Sequence, residues 1–309
     1  MRLLRHLVIL LLLSLFFTGS ALAKPLKVVA TTSIAADLIR DLAGNHVEVT
    51  ALMGPGVDPH DYRATQGDLR RLRNADLIVY HGLGLEERMT TALERLGQDK
   101  PTLVLAEAVP QDQIIYINGE PDPHTWMSPR IWMHSVKAAE QKLVELLPEH
   151  QFQIEGNRIR LLTQLTALDQ DIQAQIRRIP EAKRVLVTAH DAFNYLGRDY
   201  GLEIVGIQGL SSATEAGLKD IQRVRDIVIE RQIRAVFFES SVSPRAIEAL
   251  QKGLAQSGYQ VKIGGELYSD SLGPEGTPEG TYLGMMQHNI RLIVNALTED
   301  PAAIEVNDP

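Results

Sequence analysis

The chain has 309 residues, of which 44% are hydrophobic, 23% charged and 5% aromatic, with a formal net charge of -8. These values exclude a disordered, collagen-like or polytopic membrane chain. The acidic balance argues against nucleic acid as a partner and for a cationic ligand. There is no cysteine, so a disulfide, a thiolate metal site and a cysteine nucleophile are all excluded; a metal here must be held by histidine, carboxylate, backbone or water.

The first segment reads as an export leader. Arg2 and Arg5 supply a positive start, residues 7–17 an apolar run broken only by Ser14, and Ala21-Leu22-Ala23 a small-residue cleavage site. The run is about half of what a bilayer-spanning helix needs. Since no cysteine follows it, cleavage after Ala23 is expected to leave a soluble, unlipidated protein free in the periplasm.

The remaining length predicts about two domains. Residues 27–32, 47–53, 77–80 and 102–105 read as strands, with helices at 34–42 and 66–73, and strands alternating with helices imply parallel pairing. The middle of the chain differs. Pro148 separates one helix from a longer one predicted over 152–179, in which Ile154, Leu161, Leu165, Leu168, Ile172 and Ile176 recur at helical spacing. That helix would be roughly 40 Å long, and its polar back face (Gln164, Asp169, Gln173, Arg177) suggests that it lies along both lobes. Strands resume at 185–188, 204–207, 235–239 and 261–263, with helices near 193–200, 216–231 and 244–257 and a closing helix at 280–296. The expected fold class is α/β, in two similar lobes that each carry a small, mainly parallel sheet flanked by helices. The expected division is 1–23 leader, 24–150 N-terminal lobe, 151–180 linking helix and 181–309 C-terminal lobe.

The chemistry sits in loops that follow strands. Asp-Pro-His occurs at 58–60 and again at 122–124. Proline fixes φ and biases the residue before it toward extended geometry, so His60 and His124 are presented from stiff loops, which suits a metal ligand. A turn with a solvent-facing histidine is the plainer alternative for one copy; two copies in separate halves favour ligation. His190 directly follows the strand ending at Thr188, and Asp270 follows the strand at 261–267. Residues just past the carboxyl end of a parallel strand face the ligand crevice of open α/β sheets. For Asp270 a helix cap or turn carboxylate is the alternative. Three imidazoles and a carboxylate converging on one crevice would make a closed site for a divalent cation.

Five segments in order carry a resemblance: 53–60 (MGPGVDPH), 122–126 (DPHTW), 186–193 (LVTAHDAF), 238–241 (FESS) and 264–270 (GGELYSD). Together they resemble the solute-binding component of manganese/zinc ABC importers, the TroA/ZnuA-type family, over residues 27–297. The resemblance implies two lobes joined by one long rigid backbone helix, with a metal between them. It assigns the ligand positions to His60 and His124 from the first lobe and to His190 and Asp270 from the second. It further implies an exported, high-affinity carrier of one divalent metal ion that is not an enzyme. The carrier would work as a monomer and deliver the ion to an ABC importer permease in the inner membrane. Residues 111–120 lack the histidine-rich loop of dedicated zinc members, which tilts the expectation toward manganese, with zinc or iron as alternatives; ligand type alone favours zinc.

The other candidates have quieter expectations. His81 follows the strand at 77–80 and faces the crevice, where it should line the pocket, with contact to the metal as the alternative; His46, His134, His150 and His288 should be surface or packing residues. Glu239 is expected to accept a hydrogen bond from a ligand imidazole, against the alternative of a buried structural carboxylate. Asp58, Asp122 and Asp191 read first as turn stabilisers, with orientation of the adjacent histidines as the alternative, and Trp126, Trp132 and Met127 as packing between the lobes. The rival functions are a periplasmic metal-dependent hydrolase, with Asp191 or Glu239 as base, and a metal-binding adhesin or metallochaperone. Four protein ligands resemble a closed site more than a catalytic zinc with an open position.

Overall fold

The computed structural model describes residues 24–298. Strand β1 (Leu26–Ala30) leads into helix α1 (Ser33–Ala43), whose first turn is capped by Thr32 Oγ1 accepting the Ala35 N–H at 3.2 Å. Then come β2 (Val47–Ala51), α2 (Gln66–Asn74), β3 (Leu77–Tyr80), α3 (Thr90–Gly97) and β4 (Thr102–Val104). The strands form one sheet in the order β2-β1-β3-β4, all parallel, with Val28 beside Val49 on one side and Leu77 on the other. Its central strands are aliphatic and buried because helices cover both faces.

Two elements go beyond the sequence expectations: the short helix α3 and an antiparallel hairpin of β5 (Tyr116–Ile117) and β6 (Glu120–Pro121). The hairpin turns through Asn118 and Gly119, at φ 54° and 87°, the dipeptide and backbone that a two-residue hairpin favours. Helix α4 (Pro129–Leu146) follows, with Ser128 as its N-cap and proline at its first position. Helix α5 (Gln151–Ile176) has 26 residues and is about 39 Å long at the usual helical rise.

The second lobe contains β7 (Val185–Thr188), α6 (Asn194–Tyr200), β8 (Glu203–Gly206), α7 (Leu218–Glu230), β9 (Ala235–Glu239), α8 (Arg245–Gln256), β10 (Lys262–Leu267) and α9 (Tyr282–Thr298). Its strands hydrogen-bond as two parallel pairs, β7-β8 and β10-β9, with β7 packed beside β9. The β10-β9 register slips between Ile263 and Glu266. The slip falls on Gly264, where a Cβ would run into the Phe237 ring, and on Gly265, held at φ 129°.

The chain is thus the expected two-lobed α/β protein. Helix α5 packs on α1, α4 and α9, and its inward residues Ile154, Leu165, Ile172 and Ile176 are 0% exposed. One apolar cluster runs from Val28 and Ile39 in the first lobe, through α5, to Ile290, Ile293 and Leu297 in α9. A hydrophobic contact of this kind resists free hinging between lobes. Leu165→Ala should therefore cost about 3 kcal/mol in urea unfolding, as a cavity in a core that relaxes little. Because the core is continuous, fluorescence and circular dichroism should report one coincident transition; two separate transitions would contradict a shared core.

Candidate metal centre

Each Asp-Pro-His tripeptide makes the same local bond. Asp58 Oδ1 accepts the His60 N–H at 2.8 Å, and Asp122 Oδ1 accepts the His124 N–H at 2.9 Å. The aspartate thereby ties the backbone two residues ahead of it. Asp122 also orients the ring, since its Oδ1 lies 2.7 Å from His124 Nδ1. That bond leaves His124 Nε2 as the free face. A short 3-10 turn (Thr125–Met127) and the Ser128 cap then join His124 directly to α4.

His190 stands just past β7, and Glu239 ends the neighbouring β9. Glu239 Oε1 accepts the His190 N–H at 2.9 Å, and Oε2 lies 2.7 Å from Nδ1 in an ion-pair contact without hydrogen-bond alignment. Glu239 thus holds the His190 backbone by a hydrogen bond and faces its ring through an ion-pair contact, not the expected hydrogen bond from the imidazole. Asp191 does not touch a ligand ring; its Oδ1 accepts the Gly206 N–H at 3.0 Å. Gly206 must lack a side chain, because a Cβ there would lie 2.8 Å from the His190 carbonyl carbon. Asp270 follows β10, and its Oδ2 accepts Ser241 Oγ at 3.1 Å.

These four loops bring His60, His124, His190 and Asp270 together. One ligand atom from each lies within 4.8 Å of all the others, and each residue is at most 1% exposed. Nε2 of His60 is 3.3 Å from Nε2 of His124; His124 Nε2 is 3.5 Å from Asp270 Oδ1, and His190 Nε2 is 3.4 Å from Asp270 Oδ2. A tetrahedron of ~2.1 Å metal–ligand bonds has edges of ~3.4 Å. The His60 and His190 ring centroids are 5.8 Å apart, so both rings reach the same point. His190 Nε2 and Asp270 Oδ1 are buried without a hydrogen-bond partner, an unusual cost for polar atoms. The set can hold one divalent cation.

The electrostatics fit the same task. Burial pushes His60 down to about 3, with the His124 and His190 rings adding to the effect against Asp270. Burial also pulls on His190, but the Glu239 and Asp270 carboxylates outweigh it and hold that imidazole well above its ordinary value. For Asp270, burial alone would raise the carboxyl; His190 first, then His124 and His60, hold it well below the carboxylate range.

The remaining histidines stay outside the cluster. His81 is buried, its Nε2 is 3.1 Å from Thr125 Oγ1, and its ring meets the edge of Trp126 and stacks on Trp132. Burial lowers it to about 3, so it is a neutral wedge behind His124. His46 stacks on His150 with ring centroids 3.5 Å apart, and His288 packs on Tyr268. Trp126 crosses between the lobes, its Nε1–H donating to the Ser269 carbonyl at 2.8 Å, while Trp132 stacks on Tyr282. Sequence reasoning missed Asn194 and Tyr195, which reach from α6 into the first lobe. Asn194 Nδ2 donates to Asp122 Oδ2 at 3.0 Å and the Tyr195 hydroxyl to the Asp122 carbonyl at 2.9 Å. Their position just after the His190 motif was the only available signal.

Residues 28–296 match the family described as "ZnuA: Zinc-uptake complex component A periplasmic". The chain is 45% identical over 282 residues to the manganese-binding lipoprotein MntA of Bacillus subtilis, covering 90% of this chain and 92% of that one. It is 42% identical over 280 residues to the zinc-binding protein TroA of Treponema pallidum, covering 90% and 91%. The iron-binding protein YfeA of Yersinia pestis is 32% identical over 274 residues, covering 88% and 86%. The solved structure of TroA superposes with a TM-score of 0.88, over 89% of this chain and 100% of that one.

The expected location is corrected by such relatives. MntA is named a lipoprotein, as are SsaB of Streptococcus sanguinis and PsaA of Streptococcus pneumoniae. Against those names, the reading of a free periplasmic protein left by a cleaved leader does not stand. It rested on the lack of cysteine, an argument from absence, and on residues 1–23, which lie outside the described residues.

A histidine that burial keeps neutral takes up its proton only on unfolding, so it contributes stability that is lost as pH falls below its unfolded value of about 6.5. His190, raised in the fold, has the opposite sign: its contribution is present below that value and is lost as pH rises through the folded one. For metal-free protein, the stability difference between wild type and His60→Gln should change by about 1.4 kcal/mol per pH unit between pH 4 and 6. Wild type should lose more as pH falls. Urea curves at each pH test this; parallel pH profiles would show that His60 is in contact with water.

Proposed function

The chain belongs to the family of zinc-uptake complex component A, and we propose that it is the cargo-binding component of a divalent-metal ABC importer, with His60, His124, His190 and Asp270 as the ligands. The single observation behind this reading is the approach of those four buried ligand atoms to within 4.8 Å of one another. Manganese is the favoured cargo, because the relative at 45% identity is named for it and no histidine lies in 111–120. Zinc and iron are the alternatives, the metals named for TroA and YfeA.

The partners are the permease and ATPase of that importer, and the working form is a monomer. Residues 24–150 and 181–298 form the lobes that clamp the ion, and 151–180 the strut that keeps them in register; the expected end of the second lobe at 309 lies outside the described residues. We read the protein as a carrier without catalysis. Both carboxylates that could serve as a hydrolytic base are committed elsewhere, Glu239 to His190 and Asp191 to the Gly206 N–H. Four protein ligands also leave no open coordination position of the kind catalytic zinc keeps.

Binding requires neutral imidazoles, and His60 already is neutral. His190 must give up its proton, so cation uptake should release a proton near pH 7 and affinity should keep rising through neutral pH rather than level off at 6.5. Metal titration at pH 5 and 7.5, with calorimetry in two buffers of different ionisation enthalpy, tests this; equal affinity at both values would contradict histidine ligation. Glu239→Gln should weaken binding about 10- to 100-fold, while His190→Ala and Asp270→Ala should abolish tight binding. Free metal at ~100 times Kd should stabilise the fold by ~2.7 kcal/mol. Elemental analysis of protein purified untagged from its own cells identifies the cargo; metal-free protein would overturn the reading.

A further inference from the structure

With its ligands buried, the candidate centre has no path for an ion unless some part of the surrounding wall moves. Two sides of the wall are tied by several bonds between the lobes. On the α6 side, Asn194 and Tyr195 hold Asp122, and Arg198 Nη1 donates to the Gln113 carbonyl at 2.7 Å. On the α9 side, the Tyr282 N–H donates to Asp37 Oδ2 at 2.8 Å, the Leu272 N–H to Ser33 Oγ at 2.9 Å, and Trp126 to the Ser269 carbonyl.

The third side is different. There the loop from β8 to α7 lies against the loop that carries His60, and the hydrogen bond joining these two loops runs from Ser212 Oγ to Asp58 Oδ2, at 2.7 Å. Ser212 and Asp58 are both half-buried. Immediately outside lies a cavity of about 430 Å³ whose lining includes Asp58, Asp61, Ser212, Glu215, Ser243 and Arg245. Asp58 belongs to both places. It lines the cavity, its other oxygen holds the His60 N–H, and it lies close enough to Asp270 and His190 to feel their charges.

The root of the same loop is tied to the opposite ligand. The Gln208 N–H donates to the Ala189 carbonyl at 2.9 Å, and the Asp191 N–H donates to the Gly209 carbonyl at 3.1 Å. Residues 210–217 therefore span from the segment that carries His190 to the carboxylate that positions His60, and cross the gap between the lobes on one side-chain bond.

We propose that residues 210–217 are the moving cover of the cation path, that the 430 Å³ cavity is its antechamber, and that Ser212 is the positioning residue that holds the cover shut through Asp58. In the lining, Glu215 faces Arg245 and Asp61 is paired with Arg88, so Asp58 is the carboxylate left to draw a hydrated cation inward. Closing the Ser212–Asp58 bond adds to the Gly56 N–H bond to Ser271 Oγ that also holds the loop presenting His60. Opening this cover leaves the core shared by the lobes untouched.

This inference rests on the cargo reading above, and the test separates the two. Equilibrium titration of wild type with Zn²⁺ comes first; a chain that binds neither Zn²⁺ nor Mn²⁺ overturns the cargo reading itself. Given binding, Zn²⁺ release into an excess of chromophoric chelator is followed by stopped flow. Ser212→Ala should release zinc roughly fivefold faster, the scale of one net hydrogen bond. Its Kd should change less than its release rate, because entry quickens too. Ser212→Thr, which keeps the hydroxyl, should release at the wild-type rate. Asp37→Asn, which weakens a bond between the lobes on the α9 side, should do the same. Wild-type release from Ser212→Ala would overturn the proposal, as would acceleration by Asp37→Asn or Ser212→Thr equal to that of Ser212→Ala.

Discussion

The structure turns on a carboxylate that has been taken out of water. Asp270 is 1% exposed and one of its oxygens has no hydrogen-bond partner, a state that costs several kcal/mol unless a positive charge compensates it. Before an ion arrives, the nearby imidazolium of His190 supplies that charge, which is why His190 is held well above its ordinary value and Asp270 well below its own. On the proposed reading, a divalent cation at the same point supplies it afterwards. The site thus exchanges one compensating charge for another, and the buried carboxylate is never left alone. His60, pushed down to about 3, stays neutral throughout, the state that the proposed ligation requires.

Convergence of the four groups depends on parts of the fold that never touch them. Each ligand sits on a loop that follows a strand, and each loop is tied by a short-range device: the Asp58 and Asp122 turns, the Glu239 carboxylate under His190, and Ser241 against Asp270. Those devices set direction but not distance. Distance comes from α5 and the apolar cluster it shares with both lobes, because the gap between two stiff halves is fixed by how they pack elsewhere. Asn194 and Tyr195 then lock α6 of one lobe to the Asp122 that aims His124 in the other.

Much of this was legible in the sequence because it is periodic or local. The strand alternation, the aliphatic stripe of α5 and the stiff Asp-Pro-His loops all report on residues within a few positions of one another. The hairpin at 116–121 was equally legible through Asn118-Gly119, and went unread because its strands are only two residues long. The register slip between β10 and β9 was hidden, since it falls on Gly264, where a Cβ would run into the Phe237 ring, and on Gly265. The bonds between lobes were hidden for a stronger reason: Ser212 and Asp58 are 154 positions apart, and Leu272 and Ser33 are 239 apart. No periodicity encodes such contacts; they exist only once both lobes have folded and docked. The free periplasmic location was misread because it was argued from a missing residue type, and relatives named as lipoproteins contradict it.

The choice of metal follows from this division between direction and distance. Three imidazoles and a carboxylate favour zinc over manganese by intrinsic affinity, so a chain that carries manganese cannot do so through ligand identity. What remains adjustable is the size of the space between the lobes and how readily the loops around it yield. Both are set by residues that touch no ion, such as the Trp132–Tyr282 stack and the α5 stripe against α1, α4 and α9. Relatives 45%, 42% and 32% identical to this chain that are named for manganese, zinc and iron are what such an arrangement would produce. Metal–ligand distances differ between ions by only tenths of an ångström, so a packing change away from the centre need move His60 and His124 relative to His190 and Asp270 by no more than that to alter the preference.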